Sequence, residues 1–193
     1  RALRELYLKG FEMMVRKSNP WTVMSSYNKI NGVYAQGNKD LLTNVLRNDW
    51  GFNGIVMTDW IGKRKDLPIE SEIAAGNDLM MPGYPAQVED IVNAVKAGKL
   101  DINDVDRCVK NMLEYIVKTP RFNGYKYSNK PDLEAHAQIT RQASTEGMVL
   151  LKNDDHTLPI KNIKNVALFG VNSYDFLSCG LGSGCVNVPY VVD

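Results

Sequence analysis

The order in which hydrophobic periods alternate restricts the fold of this chain more than any other feature. Residues 3–17 carry Leu3, Leu6, Tyr7, Phe11, Met14 and Val15 at helical spacing, and Asn19-Pro20 then breaks the pattern. Residues 21–26 form a short strand-like run, and a polar loop with Gly32 and Gly37 occupies residues 27–38. Residues 39–50 are helical again, with Leu41, Leu42, Val45, Leu46 and Trp50 on one side, Asn38 as N-cap and Gly51 as the stop. A strand at 55–58, a helix at 69–75, a strand at 79–81 and two amphipathic helices at 88–97 and 105–117 follow. Alternation of this kind implies an α/β protein with a parallel sheet covered on both faces. The strands are continuous apolar runs, the pattern of strands buried on both sides.

The composition changes after this. Residues 119–131 are rich in Pro, Asn, Gly, Tyr and Lys and read as a connection between domains. A helix at 133–146 and strand-like runs at 148–151 and 166–169 come next. They read as the opening of a second α/β domain.

The feature with most chemical content is Gly51-Phe-Asn-Gly-Ile-Val-Met-Thr-Asp-Trp60. A helix stops at glycine, a turn leads into a buried strand, and the strand ends in a carboxylate and an indole. In parallel α/β barrels, active sites form at the C-terminal ends of the strands, so Asp59 stands where a catalytic group belongs. Trp60 beside it suits a sugar, whose C–H faces stack on a ring. The pattern alone equally allows Asp59 to cap the next turn and Trp60 to belong to the core. One unit earlier, Tyr27 and Asn28 follow a strand at the same rim. A Tyr27 hydroxyl there could stabilise the ionised Asp59, or the ring could simply pack at the base of a loop.

Other candidates are weaker. Asp78, in Ala75-Gly-Asn-Asp-Leu-Met-Met-Pro-Gly83, precedes its strand and reads as structural, at the rim opposite Asp59. That placement argues against a divalent-metal site built from successive strand ends. The loop Gly180-Leu-Gly-Ser-Gly184 lacks the Gly-Lys-Ser/Thr ending of a phosphate loop, which argues against a nucleotide-binding α/β protein. His136 and His156 lack partners for a triad and read as surface or linker residues. Cys108 reads as a small buried hydrophobe, and Cys179 and Cys185 as free thiols, because three cysteines form no complete framework. The net charge of +1 and scattered basic residues, Lys63-Arg-Lys65 apart, favour neither a nucleic acid nor a membrane as partner. No apolar run reaches the ~18 residues of a membrane span.

Four stretches together resemble glycoside hydrolase family 3. They are Val23-Met-Ser-Ser-Tyr-Asn-Lys-Ile-Asn-Gly32, residues 41–60, residues 75–83, and Arg141-Gln-Ala-Ser-Thr-Glu-Gly-Met-Val-Leu-Leu-Lys-Asn153 with Leu158-Pro-Ile160. They occur in order over nearly the whole chain. The resemblance implies the C-terminal part of a (β/α)8 TIM-like barrel at 1–118, an interdomain linker and helix at 119–147, and the beginning of an α/β sandwich at 148–193.

It also implies a retaining, exo-acting β-glycosidase, most simply a β-glucosidase, that needs no cofactor or metal. Asp59 would be the nucleophile that forms a covalent glycosyl-enzyme. Tyr27 would contact its surroundings, Trp60 would stack on the sugar or aglycone, and Met24 would line the same pocket. The partners implied are a β-glucoside or oligosaccharide and the remainder of a longer polypeptide. Related enzymes favour a secreted or periplasmic location. The family's further substrate-binding Asp, Arg and Lys-His groups would precede Arg1, and its acid/base would follow Asp193.

Retaining hydrolysis requires two carboxyl groups about 5–5.5 Å apart, and the sequence offers one candidate, Asp59, so this chain is expected to be inactive alone. Open sheet edges and an uncovered apolar face would promote its association. The alternatives are a β-xylosidase or N-acetyl-β-glucosaminidase of the same family, or a non-catalytic carbohydrate-binding relative.

Overall fold

The computed structural model describes residues 1–60 and 66–175. The chain divides into two compact units, Arg1–Ser128 and Asn129–Asp193.

In the first unit, β1 (Thr22–Met24) pairs in parallel with β4 (Ile55–Met57), in the register Thr22 with Ile55, Val23 with Val56 and Met24 with Met57. Leu79 continues the sheet on the far side of β4 through a parallel bridge to Met57. Three successive chain segments thus lie side by side in sequence order, as the alternation predicts. The expected strands are shorter than their apolar runs: among the described residues, the segment at 79–81 makes only that one bridge.

The helices form close to where the periodicity sets them. Helix α1 (Lys9–Ser18) ends where Asn19 turns left-handed, at φ 43°. It is led in by a wider turn, Leu3–Tyr7, closed by a bond from Leu8 N to Leu3 O. The predicted helix at 39–50 is a π-helix, Asp40–Asp49, with Trp50 N bonded to Val45 O. Asn38 caps it, its side-chain oxygen accepting from Leu41 N at 3.0 Å. Gly51 ends it at φ 77°, a conformation that costs glycine little. Helix α2 (Ile69–Ala75) matches its expected bounds.

Helix α3 (Pro85–Lys96) begins earlier than expected, because Pro85 opens it and Gln87 accepts from Tyr84 N. Helix α4 (Ile102–Lys118) also begins early, because Asp101 accepts from Asn103 N at 2.9 Å.

Two apolar clusters hold this unit. Leu8, Val15, Leu42, Val45, Leu46, Trp50 and Phe52 enclose Val56, and Ile73, Ala94 and Leu100 seat α2 and α3. Val23 packs on the first cluster. By strand alternation, Met57 therefore turns to the opposite face, and so does Asp59, two residues later, whereas Met24, on the strand's open edge, borders the same groove as Val23.

Two expectations require correction. The polar loop 27–38 contains a small antiparallel hairpin, β2 (Lys29–Ile30) with β3 (Val33–Tyr34), followed by the 3-10 turn Ala35–Gly37. Its hinge is Asn31-Gly32, both at positive φ, the pair favoured in two-residue hairpin turns.

In the second unit, helix α5 (Leu133–Gly147) forms as expected, with Asp132 as its cap. The runs at 148–151 and 166–169 are not strands: Leu151 is 91% and Phe169 85% exposed. A strand needs neighbours to satisfy its backbone groups, and the described residues provide none. The Gly-rich loop 180–184, Cys179, Cys185 and the cluster 63–65 lie outside the described residues.

Candidate active site

The sheet delivers Asp59. Ile55 and Val56 are buried, and Ile55 N is bonded to Trp21 O at 3.0 Å. Gly54 is needed for this entry, because a Cβ there would land on the Trp21 carbonyl. Thr58 leaves the strand with its N–H on Leu79 O at 2.9 Å, and its hydroxyl oxygen accepts from Met81 N at 2.8 Å. The chain is thus pinned up to the residue before Asp59.

Asp59 is half-buried, and its Oδ1 accepts from Trp60 N at 2.7 Å. Trp60 is 64% exposed, so its indole is available as a platform and is no part of the core. The Tyr27 hydroxyl donates to the Trp60 carbonyl at 3.1 Å. That bond ties the loop after β1 to the segment after β4. Tyr27 and Met24 are both exposed. Asn28 Oδ1 accepts from Ser26 Oγ at 2.7 Å, and Asn28 O accepts from Ala35 N, which closes the base of the hairpin. A carboxylate on a rigid strand end beside open aromatic rings can attack an electrophilic carbon while a sugar ring stacks next to it.

Asp78 has a different environment. Its carboxylate is fully enclosed. It accepts from Arg47, from Arg107 at 2.7 Å, from Asn111 at 2.8 Å and from Val56 N at 2.9 Å. Arg47 also donates to the Gly54 and Gly76 carbonyls. This is a structural clamp, as the position before the strand implies.

Cys108 donates to Asn77 O at 3.2 Å, and burial pushes its thiol up to about 11. At the hairpin, Lys29 lies 4.3 Å over the Tyr34 ring and 3.5 Å from Asp66. A hydrogen bond from Tyr34, helped by Lys29, holds the Asp66 carboxyl below its usual range. His136 and His156 are exposed. Among the described residues, no cluster of His, Cys, Asp and Glu is arranged to hold a metal, and no helix is long and apolar enough to cross a membrane.

Sequence reasoning missed Gln36 and Asn77, both almost wholly buried. Gln36 sits in what reads as a polar loop, and no local pattern marks it. Asn77 offers a faint signal: a polar pair, Asn77-Asp78, directly before an apolar strand must find partners inside.

Residues 1–115 match the family described as "Glycosyl hydrolase family 3 N terminal domain". "Thermostable beta-glucosidase B" of Acetivibrio thermocellus is 43% identical over 171 residues, which cover 88% of this chain and 22% of that protein. "Exo-alpha-(1->6)-L-arabinopyranosidase" of Bifidobacterium breve is 43% identical over 164 residues, 83% of this chain and 20% of that one. Among solved structures, beta-glucosidase 3B from Thermotoga neapolitana in complex with glucose superimposes with a TM-score of 0.79 at 47% identity. That match covers 98% of this chain and 27% of the other. The chain therefore spans about a fifth to a quarter of the length of these relatives. A family match over more than half the chain, and relatives this similar along most of it, lead to one conclusion: the chain belongs to glycoside hydrolase family 3.

Proposed function

We propose that this chain is the nucleophile-bearing part of a retaining, exo-acting β-glycosidase that releases terminal β-D-glucosyl residues. Asp59 attacks the anomeric carbon and forms a covalent glycosyl-enzyme, and Trp60, Tyr27 and Met24 line the sugar and aglycone side. Residues 1–118 are the closing part of a (β/α)8 barrel, 119–147 the junction, and 148–193 the start of an α/β sandwich. The acid/base and the remaining sugar-binding groups come from the rest of a longer polypeptide.

One observation carries this reading: Asp59 stands two residues past the end of β4, on a backbone pinned by Thr58, beside an indole that is open to a ligand. The first half-reaction breaks the bond between the anomeric carbon and the glycosidic oxygen and makes one to an Asp59 carboxylate oxygen. The departing oxygen takes its proton from the acid/base; water, giving a proton back to that group, then attacks the anomeric carbon and breaks its bond to the Asp59 oxygen, releasing the sugar.

The arabinopyranosidase relative supports a second reading, in which the same nucleophile serves another pyranoside. The test for both is to incubate the full-length polypeptide with activated 2-deoxy-2-fluoro glycosides, then digest it and map the modified peptide by mass spectrometry. The expected result is a glucosyl adduct on Asp59. An adduct from only the arabinosyl reagent would change the sugar. An active enzyme labelled on another carboxylate would remove Asp59 from the mechanism.

A further inference from the structure

Gln36 lies in the 3-10 turn Ala35–Gly37 and is only 1% exposed. A buried primary amide is costly unless its donors and acceptor are matched. The side chain satisfies both ends in one orientation, with its oxygen accepting from Asp59 N at 3.0 Å and its nitrogen donating to Glu72 Oε1 at 3.3 Å. The reverse orientation leaves a 3.4 Å contact to the Asp59 carbonyl and turns oxygen toward the Glu72 carboxylate. The hydrogen-bond network therefore assigns the first.

The position of that bond matters. The ladder of β4 ends with Thr58 N on Leu79 O. Asp59 N is the next amide, and the Gln36 side chain serves it as a neighbouring strand would.

Gln36 is itself held. Its main-chain carbonyl accepts from Asn77 Nδ2 at 2.6 Å, and the same nitrogen donates to Glu72 O at 2.7 Å. Asn77, 0% exposed, accepts on Oδ1 from Ser25 Oγ at 2.8 Å. Ser25 N, just past β1, bonds Met57 O at 2.8 Å. A continuous buried network thus joins the ends of three sheet segments to the backbone of one residue. A polar network of this kind fixes a single arrangement where apolar packing would tolerate several.

We propose that Gln36 is a positioning residue for the Asp59 carboxylate, held in place by Asn77. The proposal rests on the reading of Asp59 as the nucleophile. Attack demands reacting atoms about 3–3.5 Å apart and aligned. Without the bond to its N–H, Asp59 gains backbone freedom at the point where the chain leaves the sheet. Sugar binding, carried by the surrounding rings and groups, is affected much less.

The test uses the full-length polypeptide carrying Gln36→Met, which fills the same space without the bonds. Gln36→Asn, a shorter amide that withdraws from Asp59 N, reads the same effect should the Met variant not fold. Three quantities are measured: the rate of labelling by an activated 2-deoxy-2-fluoro-β-glucoside, competitive inhibition by glucose, and Tm. The expected result is a labelling rate lower by about 10- to 100-fold, with glucose inhibition within about twofold of wild type. A folded Gln36→Met protein labelled at the wild-type rate overturns the proposal, as does a loss of rate matched by an equal loss of glucose binding. Wild-type enzyme that is active but not labelled on Asp59 overturns the nucleophile reading first, and this inference with it.

Discussion

Asp78 and Asp59 are two carboxylates of one small unit with opposite fates, and the difference lies in what surrounds each. Asp78 is enclosed by two guanidinium groups, an amide and a backbone N–H, so every lone pair is engaged and the charge cannot be offered to a ligand. Asp59 keeps part of its surface open. Removing one member of a buried ion cluster leaves the others uncompensated. Asp78→Asn is therefore expected to destabilise the chain by about 3 kcal/mol, at the low end for buried pairs because Arg107 retains some contact with water. Urea unfolding at neutral pH would show this as a lower midpoint. Asp49→Asn, which breaks only an exposed pair with Arg4, should cost no more than about 1 kcal/mol. Equal shifts for the two variants would mean that the Asp78 cluster is no clamp.

At the scale of elements, the contact between β1 and β4 depends on the backbone of Gly54. A methyl group there meets the Trp21 carbonyl and the Phe52 ring, the carbonyl being the acceptor of Ile55 N. Gly54→Ala should part the two strands at their entry and cost about 1–3 kcal/mol, as overpacking does. Amide exchange read by NMR would show Ile55 N–H losing protection before the α4 amides. Uniform loss across the unit would argue against a local wedge.

These elements also mark how far the sequence could be read. Apolar runs and capping residues located the helices and the parallel strands, because burial and caps are written in neighbouring residues. Asp59 was legible for the same reason, as a carboxylate at the end of a buried run. The hairpin is hard to read although Asn31-Gly32 carries the turn signal, because the strands on each side are only two residues long. Gln36 was not legible at all. Its partners, Asp59, Glu72 and Asn77, are distant in sequence, and only folding brings them together. The strands expected after residue 147 failed for a related reason: a strand is a property of a pair, and periodicity describes one member.

At the scale of the whole molecule, the first unit leaves apolar surface uncovered. β1 pairs on one side only, with β4, among the described residues. Beside it lies an apolar groove of about 330 Å³, bounded by Tyr7, Phe11, Met14, Val23 and Met24. Leu6, Tyr7 and Phe11 on the same segment are all more than half exposed. Burying such surface is favourable at roughly 25 cal/mol per Å², and an unpaired strand edge adds a template for association. The isolated chain should therefore self-associate, with a weight-average mass in sedimentation equilibrium that rises with concentration. On the proposal that Asp59 is the nucleophile and that the acid/base belongs to the rest of the polypeptide, it should also hydrolyse an aryl β-glucoside at least about 100-fold more slowly than the full-length polypeptide, because the departing oxygen would lack its proton donor. The two measurements separate two causes of inactivity. If a monomeric, well-folded chain is inactive, the missing carboxyl accounts for it. If the chain is inactive only when associated, self-assembly is blocking the rim. Turnover by a monomer comparable to the full-length enzyme would mean that one of the other acidic residues of this chain serves as acid/base, and the proposed division of the site between this chain and the rest of the polypeptide would have to be abandoned.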